Sequence, residues 1–251
     1  MEPVRVVRTR RRRVAGLARR AGPPRRDRRA ERRPLRERQW SRWLAGYDAA
    51  CADTLALQLR RAGTWQTPTL VINRSYSFPD STWGSDAERA SVAAGVLAGW
   101  DTTRAELLAE YGVQGRAAWR ARWMYERQML QRMVAAGVGV LAGSDASDEP
   151  FVYAGSSLHE ELVLLVQAGL TPLQALQAAT VNPARFLSAT DSLGTVAVGR
   201  LADLVLLDAN PLVDIRHTTR IRGVVRDGHW LDRTALDGLL IQARRAPNPA
   251  P

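Results

Sequence analysis

Gly137-Val-Gly-Val-Leu-Ala-Gly-Ser-Asp145 is the stretch whose reading decides the fold. Val138 to Ala142 predicts a short buried strand fed by a helix, and small residues let the backbone bend where the strand ends. One carboxylate, Asp145, follows the bend at once. In β/α architectures chemistry is placed at the carboxyl ends of strands, which makes Asp145 the first candidate for a functional residue. The competing reading is an aspartate that caps the next helix or turn.

Downstream, a loop from Ala146 to Ser156 leads to Ser157-Leu-His-Glu160, a capping-box spacing that predicts a helix to Gln167. Thr171-Pro172-Leu-Gln174 opens the next helix with an N-cap and an early proline, and Asn182-Pro183 repeats the device for a short helix through Leu187. Beyond Gly194 the period changes. Thr195 to Val198 alternates, Leu204 to Leu207 reads as a buried strand, and Ile221 to Arg226, Asp227-Gly228 and His229 to Leu231 read as a hairpin.

Upstream, Trp40 to Ala62 predicts an amphipathic helix, with Gly63 at its end. Thr64 to Ile72 reads as a buried strand with Pro68 near its start, and Asn73 to Asp86 as a long loop. Helical patterns follow at Ala87 to Trp100, Thr102 to Tyr111 and Arg116 to Ala136; Trp119 and Trp123 in the last read as core. The units expected are a head of residues 1–38, an α/β unit of 39–190, a β unit of 191–234, and a C-terminal helix turn and tail of 235–251.

All 36 basic residues are arginine, and residues 1–38 hold 16 of them against four acids. The rest of the chain is nearly neutral, so the basic character belongs to the head. With few large apolar residues, that head cannot offset its ordering entropy and reads as disordered. It is either a solvated tail or a nucleic-acid-binding arm without interleaved aromatics. Arg, Ala, Pro and Gly without Lys is also what GC-rich DNA yields from an incorrect start or frame. The single cysteine, Cys51, excludes an intramolecular disulfide framework. No apolar run approaches a membrane span and no signal segment is visible, which points to the cytoplasm.

Several pieces together resemble the C-terminal part of the metal-dependent amidohydrolase superfamily, its imidazolonepropionase-like branch in particular. They are Gly63 to Val71, Gly143-Ser-Asp145, Ser157 to Leu162, Ala168-Gly-Leu-Thr-Pro172, Ala178-Ala-Thr-Val-Asn-Pro-Ala184 and Leu193 to Leu207, across residues 40–235. The resemblance implies an α/β fold: the last two strands and helices of a (β/α)8 barrel, Thr67 to Ile72 and Val138 to Ala142 being the seventh and eighth strands. A partial β-sandwich would follow. It further implies hydrolysis of amide or cyclic amide carbon–nitrogen bonds in small molecules by a water activated on a divalent metal, zinc foremost.

Asp145 stands at the position of the family's last metal ligand and general base. The family's His-x-His pair, its lysine or glutamate and its two further histidines have no counterpart, since this sequence has three histidines, no His-x-His and no lysine. Three protein ligands are the usual minimum for catalytic zinc, so the chain alone is expected to be inactive. A complementing chain, one half of a split hydrolase, or a homo-oligomer would then be its partner, and open strand edges predict poor solubility without one. His159, in the first turn of its helix, is either a substrate-facing or supporting residue or a structural one. His217 and His229 read as surface residues, and Asp148-Glu149 as a solvated loop.

Overall fold

Trp65–Gln66 (β1) and Gly139–Val140 (β2) pair in parallel, Trp65 opposite Gly139 and Gln66 opposite Val140. The computed structural model describes residues 39, 42, 44–146 and 149–245; the Arg-rich head and the Pro-rich end lie outside them. Parallel strands need a long crossover. Here it contains helix α2 (Leu70–Ser77), a one-turn helix at Asp86–Arg89 and helix α3 (Ala94–Ala135). Helix α1 (Ala49–Arg61) precedes β1, its first turn capped by Asp48, whose carboxylate accepts the Cys51 amide at 2.9 Å. After β2 come α4 (Ser156–Gln167), α5 (Pro172–Ala179) and α6 (Val181–Phe186). A separate antiparallel sheet of β3 (Leu204–Leu207), β4 (Ile221–Arg226) and β5 (His229–Asp232) follows, then α7 (Arg233–Arg245). The chain is a mixed α/β fold.

Several boundaries differ from those the sequence predicts. The strand expected to reach Ile72 stops at Gln66, and Leu70 to Ser77 is helical. Thr69 takes a left-handed conformation (φ 45°, ψ 51°) that turns the chain, and a distant carboxylate then caps the new helix. Local β-propensity in Val71 and Ile72 yields to that tertiary contact. The helix expected to end at Trp100 continues through Tyr111, and the break expected before Arg116 is present as a kink at Gly112 (φ 57°, ψ −164°). The Thr102 hydroxyl donates to the Ala98 carbonyl at 2.8 Å rather than capping a new start.

Ser157 is not the cap of α4. The helix begins at Ser156 after a positive-φ Gly155, and the Ser157 hydroxyl accepts the Tyr153 amide at 2.7 Å. Thr171 and Gln174 do form the expected capping box around Pro172. Asn182 lies inside α6, and its side-chain amide donates to the Val140 carbonyl at 2.9 Å. Thr195 to Val198 is irregular, not strand. The hairpin β4–β5 turns at Asp227 and Gly228, both at positive φ as a two-residue hairpin loop requires.

The main core joins Leu70 and Val71 of α2, Trp123 and Leu130 of α3, Val140 of β2, Leu162 and Leu165 of α4, and Ala175 and Ala178 of α5. Trp100, Phe151 and Tyr153 form a second, aromatic cluster. Trp123 is thus the core residue its spacing implies, whereas Leu158 and Leu173 of the expected apolar faces are exposed. Among the described residues no helix is long and apolar enough to cross a membrane.

Candidate functional site

Both parallel strands end on the same kind of backbone. After β1 the left-handed residue is Thr69, and after β2 it is Asp145, at φ 51°. Non-glycine residues in this region cost about 1–3 kcal/mol and cluster at functional sites. Asp145 is exposed, and its side chain makes no hydrogen bond or ion pair among the described residues. It does not cap a helix. A carboxylate held out on a strained turn is free to accept a proton or join a ligand set.

The two strand ends are close-fitted. A Cβ placed on Gly143 would stand 2.8 Å from Thr67 Cγ2, which is why the residue two before Asp145 has no side chain. Gly139 is covered by the Trp65 ring, whose nearest atom would lie 2.4 Å from a Cβ there. On the other side of β2, the Ala142 amide donates to the Ala178 carbonyl at 2.8 Å, and Asn182 holds the Val140 carbonyl. The strand that delivers Asp145 is therefore fixed on both sides.

Glu161 fixes the neighbouring turn. Fully buried on α4, it accepts the Leu70 amide at 3.0 Å and the Val71 amide at 2.8 Å, satisfying two orphan donors of α2. Burial pushes its pKa up to about 7, against the opposing pull of those two amides and the Arg74 charge. The loop after Asp145 is tied down by Glu149, which accepts the Tyr76 hydroxyl at 2.5 Å and is not simply a solvated loop residue. Burial, then the Glu149 hydrogen bond, raise Tyr76 to about 12.

His159 is half-buried on α4 and lines a cavity with Arg74, Phe78, Trp83, Trp123 and Glu160, among whose walls Asp145 is not found. Burial lowers its pKa, which leaves the ring neutral near pH 7. His217 and His229 lie in the β unit; His217 Nδ1 is 2.8 Å from the Asn210 carbonyl and His229 is exposed. Among the described residues no group of three or more His, Cys, Asp or Glu side chains is placed to hold a metal ion. A catalytic zinc takes about three protein ligands, so Asp145 and its surroundings do not by themselves fit one.

Sequence reasoning missed Glu161, Tyr76 and Asn182. Glu161 had a signal: it falls three residues after Leu158 and four before Leu165, on the apolar stripe of its helix. A carboxylate on such a stripe needs buried donors.

The Amidohydrolase family matches residues 86–231, more than half of the chain. The chain belongs to that family. It is similar to adenine deaminase 2 of Jannaschia sp. (strain CCS1), at 37% identity over 94 residues, 36% of this chain and 15% of that protein. It is also similar to imidazolonepropionase of Geobacillus sp. (strain WCH70), at 34% identity over 83 residues, 31% of this chain and 18% of that protein. Among solved structures, a bottromycin amidohydrolase superposes with a TM-score of 0.54 at 26% identity, covering 72% of this chain and 40% of that one. A Xaa-Pro dipeptidase with bound methionine shares the fold at a TM-score of 0.50 and 21% identity, over 74% of this chain and 37% of that one. Each match to this amidohydrolase-family chain thus spans well under two thirds of the relative.

Proposed function

We propose that this chain supplies the closing carboxylate of an amidohydrolase active site, Asp145, on what would be the last two strands of a (β/α)8 barrel. The β3–β5 sheet would be part of the accompanying β-sandwich. The observation that carries this reading is Asp145 itself, exposed, unpaired and in a left-handed turn at the end of β2, beside a parallel β1 that ends the same way. The reaction class is hydrolysis of an amide or cyclic amide carbon–nitrogen bond in a small molecule. Asp145 acts as the base that takes a proton from the attacking water.

The family's divalent metal, zinc foremost by the resemblance, needs ligands, a His-x-His pair among them, that have no counterpart in this sequence. They are supplied by further polypeptide, continuous with this chain or separate from it, and the chain alone does not turn over. In this arrangement Glu161, Asn182 and Glu149 do not touch the substrate. They hold the turns on either side of it through Leu70 and Val71, through Val140, and through Tyr76.

Complementation tests the reading. A fragment bearing the family's His-x-His strand is mixed with this chain, and hydrolysis of a panel of amides and lactams is followed. Activity that appears only on mixing and is lost in Asp145→Asn supports the proposal. Activity of the unmixed chain that survives Asp145→Asn overturns it.

A further inference from the structure

Arg74 is only 8% exposed, yet its Nε has no hydrogen-bond partner. Its guanidinium stacks on the Trp83 ring, 3.9 Å from the centroid, and its Nη2 lies 2.6 Å from Glu160 Oε1 in an ion pair without hydrogen-bond alignment. Two more buried nitrogens, Trp83 Nε1 and His159 Nδ1, are unpartnered. All three side chains line one cavity of about 580 Å³ between α2, α3 and α4, within the size range of small-molecule sites. Buried donors without acceptors are costly, at about 1–3 kcal/mol each, and a site that keeps several together is one an acceptor fills.

The rest of the cavity narrows the ligand. Phe78 meets Trp83 and Trp123 edge-on, with centroids 6.3 and 6.2 Å apart, which makes an aromatic wall suited to a flat ring. The other two arginines are engaged elsewhere: Arg127 donates to the Gln167 carbonyl, and Arg216 forks the Asp214 carboxylate. The two carboxylates present are engaged as well. Glu160 faces Arg74, and Glu88 accepts the Ser85 amide and hydroxyl at 2.6 and 2.8 Å.

We propose that this cavity binds a small planar ring carboxylate, its carboxylate drawn to the Arg74 guanidinium and its ring against Phe78 and Trp123. The site is separate from the one proposed around Asp145 and does not rest on it. Guanidinium donors in a partly dry site favour a carboxylate over a neutral amide of the same shape.

Benzoate and benzamide are the probes, titrated calorimetrically into the full chain. Benzoate binds saturably and benzamide at least about tenfold more weakly, as one lost charge-assisted hydrogen bond implies. In wild-type protein the His159 ring resonances move with benzoate and those of His217 and His229 do not. Arg74→Gln weakens benzoate by a similar factor, Val163→Phe fills the cavity and abolishes binding, and Asp145→Asn leaves it unchanged. Absence of saturable binding, equal binding of the two probes, or a His159 signal that stays still overturns the proposal. The histidine readout uses wild-type protein, so it decides even where Arg74→Gln loses its cooperative melt.

Discussion

The Glu161 carboxylate accepts the Val71 amide at 2.8 Å across ninety residues of chain, and it is fully buried where it does so. With Leu70 bound to the other oxygen, one side chain of α4 ends β1, starts α2 and fixes Thr69 in its left-handed turn. Removing it leaves two buried donors without partners, so Glu161→Ala lowers stability by about 2–3 kcal/mol and Glu161→Gln, which keeps one acceptor, by about half as much. Urea unfolding curves at neutral pH measure both.

The same residue gives a pH dependence with a definite sign. Its folded pKa of about 7 lies above the ordinary 4.5, so the folded state holds the proton more tightly than the unfolded chain. Its contribution is fully present below pH 4.5 and is lost as pH rises through about 7. Stability measured across that window declines in wild type, and the decline is flattened in Glu161→Gln.

Gly143 and Thr67 form a second checkable pair. Gly143→Ala puts a methyl group 2.8 Å from Thr67 Cγ2, and such overpacking costs about 1–3 kcal/mol. Thr67→Ser removes the opposing methyl, so the double variant recovers most of the loss. A double-mutant cycle showing strict additivity would mean the two strand ends do not meet.

Tyr76 holds the loop that follows Asp145. In Tyr76→Phe the Glu149 carboxylate loses its 2.5 Å partner, and Val152, whose amide donates to the Glu149 carbonyl, is released with it. Hydrogen exchange at Val152 accelerates, while exchange at Leu165 in the core does not.

An exposed apolar surface on the β unit predicts association. Val196 and Val198 are almost fully exposed, and Val205 of edge strand β3 and Trp230 of β5 are each more than half exposed. Such edges invite pairing. Val205→Lys reduces the light scattering of concentrated protein without changing its far-ultraviolet circular dichroism.

What the sequence made legible follows from which signals are local. The Thr171–Gln174 box and the Asp227-Gly228 turn each depend on a few adjacent residues and stand where expected, whereas the strand expected over Val138 to Ala142 is only Gly139–Val140. The end of β1 was not legible, because it is decided by Glu161, far along the chain. Ser157 and Asn182 have the composition of caps but spend their side chains on Tyr153 and Val140, partners that only packing supplies. His159 shares a helix with Glu161 and lines a cavity, which helical spacing alone does not tell.

The most direct measurement is the zinc content of the purified chain after dialysis, alone and mixed with a fragment carrying the family's His-x-His strand. The account predicts far less than one equivalent for the chain alone, about one or more for the mixture as three or four protein ligands require, and a marked loss when Asp145→Asn replaces wild type. A full equivalent retained by the unmixed chain, undiminished in Asp145→Asn, would contradict it.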